Sequence, residues 1–398
     1  MKNILGAFIL LVVLLSTKTY SQELSGFAQF QLRYFPLGPL DDRQEGTGFS
    51  LAIQPEFYYD FGGSPHSLLF TFFARYDQHD KERTHYDIRE LFWLYYSDNW
   101  EISVGFRKIF WGVTESQHLV DVINQTDFVE NFNGEQKLGQ PMINFIYIHD
   151  WGTLELFLLT GFRERTFPGE KGRFRFPILI DTENPIYESS SEYKHIDFAF
   201  RYVNYIGPFD FAISHFVGTS RAPRFTPIDS AGIEPYIQLN YDLMNQTGLE
   251  GQLTLGSWLW KFEGITRHTI GKRFYALTAG FEYTFSNISN TGLDVGVLGE
   301  WLYDDRDQFF FPPNPFKNHV FVGSRLAFND VQSTEILAGV LVDYRGAGIY
   351  PSIEASRRVG ESFIVNLEAI AFYNTEEGDL LHFFRRDNYL QLEINWYY

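Results

Sequence analysis

Apolar and polar residues alternate along most of the chain with a period of two rather than 3.6, which is the signature of β-strands with one apolar and one polar face. Near the C-terminus Leu390, Leu392, Ile394, Trp396 and Tyr398 alternate with Tyr389, Gln391, Glu393, Asn395 and Tyr397. Phe363, Val365, Leu367, Ala369 and Ala371 alternate with Ile364, Asn366, Glu368 and Ile370 in the same way. The parity recurs where Leu51, Ile53 and Phe57 oppose Gln54 and Glu56, and where Leu68, Phe70 and Phe72 oppose Thr71 and Arg75. The pattern predicts strands near 25–35, 48–60, 66–77, 85–96, 99–108, 141–149, 153–162, 193–205, 208–218, 245–255, 257–268, 273–285, 290–303, 317–329, 332–345, 348–358, 361–374 and 386–397.

A soluble β-sandwich also alternates, so the question is what the apolar face meets. Most segments are about ten residues or more, enough to cross a bilayer at the tilt that barrel strands adopt. Many apolar faces end in aromatics such as Tyr34, Tyr76, Tyr202, Tyr283, Tyr303 and Tyr344, as in the girdles at membrane interfaces. The connections alternate in length: turns such as 97–98, 206–207, 286–289 and 359–360 are short, and the long connections 109–140, 163–192 and 219–244 all fall on the other side. Short turns at one end and longer loops at the other predict an all-β, antiparallel, up-and-down transmembrane barrel of 18 strands, with 16 as the alternative count. The aromatic-ended last strand is the kind of segment that barrel-assembly machinery engages, and the outward face is expected to meet outer-membrane lipid.

Composition adds three constraints. The first 21 residues carry Lys2, an uncharged apolar run from Ile4 to Leu15 and small residues near Ser21, which predicts a cleaved secretory leader; the run is too short for the roughly 20 residues of a membrane helix. The remainder, 22–398, is expected to be the barrel. A complete lack of cysteine excludes disulfides, thiolate metal sites and a cysteine nucleophile. The formal net charge of −18 argues against a nucleic-acid surface.

A barrel this wide is not filled by wall side chains alone, so function is sought in the lumen. Parity places Glu56, Glu263, Glu282, Asp294, Glu300, Glu335, Glu354, Glu368 and Glu393 on the polar face, together with Arg33, Arg75, Arg107, Arg201 and Arg325. Acids outnumber bases there, which predicts a water-filled pore for small hydrophilic solutes that is cation-preferring or weakly selective. The alternative is a polar network that fills the interior. The connection 109–140 is long yet carries Leu119, Val120, Val122, Ile123, Phe128 and Val129, poor choices for a solvated loop. It is expected to fold inward and narrow the pore, with Glu115, Asp121, Asp127 and Glu130 setting the charge of the constriction.

On VGFRKIFWGVTESQHLVDVINQTDFVE (104–130), NQTGLEGQLTLGSWLWKFEGITRH (245–268), NDVQSTEILAGVLVDY and RRDNYLQLEINWYY, the chain resembles the porin-like outer-membrane barrels of Gram-negative bacteria that include the alginate-export type. The resemblance implies an 18-stranded channel for solutes or polymers. A polyuronate favours a basic lumen and this one reads acidic, so no alginate-binding residue is carried over.

Other classes fit less well. A plugged, energy-coupled transporter needs a domain of roughly a hundred residues ahead of the first strand, where the pattern leaves only a few. A barrel phospholipase needs serine and histidine on one face, whereas Ser214 and His215 are consecutive and point to opposite faces. The run Asp304-Asp305-Arg306-Asp307 lacks the spacing of a structural metal motif, and no catalytic residue or cofactor is expected. A non-conducting barrel that docks other envelope proteins is the competing function. Nothing in the sequence marks a protomer interface or an oligomeric state.

Overall fold

The computed structural model describes residues 22–229, 232, 234–308 and 310–398; the expected leader, 1–21, lies outside the described residues. In chain order the strands are β1 (Gln22–Tyr34), β2 (Thr47–Asp60), β3 (His66–Asp77), β4 (His85–Tyr96), β5 (Trp100–Arg107), β6 (Gln140–His149), β7 (Gly152–Leu159), β8 (Leu179–Tyr187), β9 (Asp197–Ile206), β10 (Phe209–Thr219), β11 (Arg224–Ile228), β12 (Tyr236–Tyr241), β13 (Leu243–Leu255), β14 (Trp258–Thr269), β15 (Lys272–Phe285), β16 (Asp294–Asp304), β17 (Asn318–Ala327), β18 (Glu335–Asp343), β19 (Ile349–Val359), β20 (Phe363–Ile370) and β21 (Tyr389–Tyr397). Eighteen of them form one antiparallel sheet. Its first and last strands pair, from Phe27 opposite Tyr397 to Tyr34 opposite Leu390, and this closes the barrel. Closure removes the free sheet edge that an open sheet of this size would expose.

Every strand that the alternation predicts is present. The other three, β8, β11 and β12, form a small sheet on the long connections, with β12 antiparallel to β11 and parallel to β8. Pro185 in β8 and Pro227 in β11 interrupt the usual strand signature, which is why alternation does not reveal them. At the short-turn end, β9–β10 and β13–β14 reverse through Gly207 and Gly256 at φ of 59° and 61°, a region that glycine enters without strain.

The outward rows are apolar and exposed: Phe30, Leu32 and Tyr34 on β1, and Trp260, Trp301 and Val322 on β14, β16 and β17. The packed core lies inside the barrel. Trp111, Leu119, Val120, Val122 and Ile123 from connection 108–139 are buried against Met142, Phe157, Phe216, Met244, Ile265 and Phe274 on the inner wall. Each such side chain contributes roughly 1.5–3 kcal/mol on burial. A second aromatic cluster joins Phe132 of the same connection to Phe174, Phe372, Phe384 and Tyr389, with the Phe132 and Phe174 rings stacked at 4.6 Å. The two long connections that meet there are tied by Arg173 to Asp387 at 2.6 Å, both buried.

Candidate functional site in the barrel lumen

Residues 108–139 are fixed to the wall by backbone groups that two wall carboxylates accept. Glu263, fully buried on β14, takes hydrogen bonds at Oε1 from the Val113 and Thr114 amides (2.7 and 3.0 Å) and the Thr114 hydroxyl (2.7 Å), and at Oε2 from the Val120 amide (3.2 Å). Glu300 on β16 receives the Glu115 amide at 2.7 Å, and the Ser116 amide and hydroxyl at 2.8 and 2.5 Å. Asn124 ties the two ends of the segment together: its Nδ2 donates to the Arg107 and Leu138 carbonyls at 2.8 Å, and its Oδ1 accepts from the Ile109 amide at 2.8 Å. An irregular segment leaves its backbone donors unpaired, and buried carboxylates satisfy several at once.

The four acids expected at the constriction divide. Glu115 is partly exposed, meets Arg325 at 2.8 Å and Lys261 at 3.9 Å, and lines a cavity of about 420 Å³. The other three have nearly buried carboxylates, each paired with a cation. Asp121 is buried beside Lys137 at 3.1 Å. Asp127 is buried against Arg89 at 2.6 Å and accepts the Thr166 hydroxyl at 2.6 Å. Glu130 is gripped by Arg75, with Nε 2.9 Å from both carboxylate oxygens. Burial raises the Asp121 carboxyl above its usual range, against the pull of Lys137 and His118. For Glu130 burial also works against the charge, but Arg75 and Arg83 outweigh it and hold the carboxyl low. Counting charges by parity shows which face a residue occupies and leaves out which charges neutralise one another.

The wall residues sort similarly. Arg201 bonds Glu250 and reaches Glu155 at 3.5 Å; Arg325 also faces Glu282 at 3.6 Å. Arg107 donates to Ser103 and Asn144 at 2.8 and 2.9 Å, and Arg33 to Gln391 and to the Glu130 carbonyl. Glu56 accepts only the Thr71 hydroxyl, at 3.2 Å, among the described residues. Asp294 sits beside the short turn, where it accepts from the Asn287 amide and the Asn329 side chain, and Glu335 is exposed at the same end of β18. On the β19–β21 wall, Glu354 lies directly across from Glu368 in the strand register. Glu368 accepts from Tyr389 and Gln391, and Glu393 from Gln31 and Gln391 at 2.6 and 2.9 Å. No arginine or lysine lies within 4 Å of Glu354, Glu368 or Glu393 among the described residues.

His118, which no periodicity or motif singles out, stands between Glu135 (3.5 Å) and Glu263 (3.8 Å). Burial opposes its charge, but the two carboxylates outweigh it and push the imidazole up to about 10. Its position, three residues from Glu115 in a segment already marked as distinctive, was the available signal. Ser214 faces the lumen and is buried, while His215 points outward and bonds Thr247 at 2.9 Å. Asp304 of the acidic run is occupied by Arg306 at 2.7 Å and Asn314 at 2.9 Å.

No protein-family model matches the sequence, and no curated protein matches it by sequence. Solved structures do share the fold. OccK3 (OpdO) of Pseudomonas aeruginosa superposes with a TM-score of 0.57 at 9% identity, over 95% of this chain and 96% of that one. A BenF-like porin from Pseudomonas fluorescens gives 0.54 at 8% identity, over 95% and 98%. OpdQ of Pseudomonas aeruginosa gives 0.53 at 10% identity, over 96% and 99%. The chain therefore has the porin-like fold of a closed 18-strand barrel.

Proposed function

We propose that this protein is a porin-like channel of a Gram-negative outer membrane, passing small hydrophilic solutes through a lumen narrowed by residues 109–140. The observation that carries this reading is the seating of that segment on Glu263 and Glu300, inside a barrel too wide for its own wall side chains to fill. An apolar outward face suits lipid, and the β1–β21 pairing makes the last strand the natural site of engagement by barrel-assembly machinery. The segment leaves a cavity of about 420 Å³ between Glu115, Ser116 and Glu135 on its own side and Phe321, Tyr350 and Glu354 on the wall.

The preference among ions follows from the charges that pairing leaves over. Asp121, Asp127 and Glu130 are matched by cations at close range, whereas Glu354, Glu368 and Glu393 are not. The acidic β19–β21 wall favours cations. Reconstitution in planar bilayers tests the whole reading. Discrete conductance steps with a reversal potential favouring potassium over chloride are expected. A folded barrel that never conducts would instead favour a docking role in the envelope.

A further inference from the structure

On the outward face, the strand ends beside the long connections carry exposed aromatic residues: Tyr34, Tyr76, Tyr86, Phe198 and Tyr344. That pattern is interrupted over β13–β15. There the register sets two polar rows side by side, Asn245–His268–Arg273 and, one step toward the short turns, His215–Thr247–Thr266. These residues share the lipid-facing side with the exposed Ile213, Leu249 and Tyr275, whereas the alternate positions Ser214, Gln246 and Phe274 are buried inside the barrel.

Depth gives these rows their meaning. The outward side of β14 runs from Trp258, stacked on Trp260 at 5.5 Å beside the short turn, to His268 near its other end. The roughly ten residues between them, at about 3.3 Å each on a strand tilted by about 40°, cover about 25 Å, the height of the apolar band of such barrels. The polar rows therefore stand at the far edge of the band, where an outward charge is tolerated. No long connection rises from this hairpin, because Ile270 and Gly271 alone join β14 to β15. Arg273 donates to the Thr266 hydroxyl at 2.9 Å and to Asn245 Oδ1 at 3.4 Å, and no carboxylate lies within 4 Å of it among the described residues. Asp305, at the end of the lower row, is taken by the Tyr275 amide at 2.6 Å. Neutral acceptors orient the guanidinium and leave its charge for an anion.

We infer that the outward face of β13–β15 is a docking site for a phosphorylated glycolipid of the outer leaflet, its phosphate held by Arg273 and His268. A planar guanidinium suits phosphate oxygens, and the hydroxyls of Thr247 and Thr266 with the Asn245 amide suit the sugar beside them. The acyl chains lie on the next row toward the short turns, Ile213–Leu249–Gly264–Leu277, which is apolar throughout and shallow at Gly264. A free phosphate would gain nothing from that row, and a plain phospholipid nothing from the hydroxyls. The inference rests on the outer-membrane reading above only for which leaflet meets these rows, because lipid binding is measurable without conduction.

The test is native mass spectrometry of the folded full chain in detergent micelles, with bis-phosphorylated lipid A, dephosphorylated lipid A, phosphatidylglycerol and inorganic phosphate as probes. Lipid A should bind most tightly, and removing its phosphates should weaken it about tenfold or more, the loss of a charged hydrogen bond. Arg273→Gln combined with His268→Gln should abolish the preference for the phosphorylated form. Arg358→Gln, exposed at the opposite end of the barrel on β19, should leave it intact. Equal binding of the two forms of lipid A, or a phosphate preference that survives the double substitution, would overturn the proposal. So would phosphatidylglycerol or inorganic phosphate binding as tightly as lipid A, since the site would then read phosphate without the glycolipid. Bilayer currents separate the two claims: a conducting barrel with no preference for lipid A keeps the channel and loses the docking site, and a non-conducting barrel that binds lipid A through Arg273 does the reverse. Heat-modifiable migration confirms that each variant is folded.

Discussion

Single side chains decide whether the inner segment stays in place, and their chemistry makes two outcomes measurable. His118 is the titratable member of the Glu135–His118–Glu263 row. Its folded value of about 10 lies above the ordinary value of 6.5, so its contribution is complete below about pH 6.5 and is lost as pH rises through 10. Glu135 is held below its usual value, chiefly by the hydrogen bond from His118, so its share disappears only in acid. Current noise and protease cleavage within 108–139 should therefore rise between pH 8 and pH 10.5, and His118→Asn should flatten that dependence; a flat wild-type profile would show that the row does not anchor the segment. The Arg75–Glu130 pair, about 5% exposed on each side, behaves differently. Glu130→Ala leaves a buried guanidinium without its carboxylate and should cost about 3 kcal/mol or more, seen as a lower temperature for loss of the heat-modifiable folded band. Glu130→Gln keeps an acceptor and should cost less. Neither pair is legible in a single sequence, because Arg75 and Glu130 are 55 positions apart and only the inward folding of 108–139 brings them together.

At the scale of elements, strand positions were legible and loop structure was not. A strand that is apolar on one side and polar on the other announces itself through period two, and β1–β7, β9, β10 and β13–β21 all do so. The inner wall departs from that rule where Met142, Phe157, Phe216, Ile265 and Phe274 point inward, and those apolar residues make sense only once Trp111, Val120 and Ile123 lie on them. Leu119 to Ile123 carried that signal in the sequence, while the carboxylates that receive the segment read only as charges on a wall. The close fit suggests a direct test, since the chain has no native cysteine. A β-carbon placed on Gly248 of β13 falls 3.5 Å from that of Val120 and 2.7 Å from the Ser214 hydroxyl oxygen. That separation suits a disulfide. Val120→Cys with Gly248→Cys, combined with Ser214→Ala to clear space, should cross-link on mild oxidation and leave single-channel conductance the same oxidised or reduced. A jump in conductance on reduction would mean that the segment swings away in the working protein.

For the whole molecule, the alternation of long and short connections sets the topology, and the charges left after pairing set the field. The long connections should face outside and the short turns the periplasm. An epitope after Ser190, which is exposed, should be reached by antibody on intact cells, and one in the 286–289 turn should not; the reverse labelling would invert the model. Gly172 is a poorer insertion point in the same connection, because its carbonyl accepts from Gln44 and a β-carbon there would meet Asp80 at 2.3 Å. Ion selectivity is the larger question, because a lumen rich in both signs has a field set by what pairing leaves uncancelled. Neutralising both members of a contact pair removes little field, whereas neutralising an unmatched acid removes a full charge. Arg89→Gln with Asp127→Asn should therefore leave the reversal potential in a potassium chloride gradient nearly unchanged, at some cost in stability. Glu354→Gln with Glu368→Gln should lower the cation preference clearly at 0.1 M salt, and less at 1 M, where the screening length falls from about 10 Å to about 3 Å. If the double neutralisation at Arg89 and Asp127 moves the potential more than the one at Glu354 and Glu368, the charge of the inner segment governs permeation and the acidic wall does not.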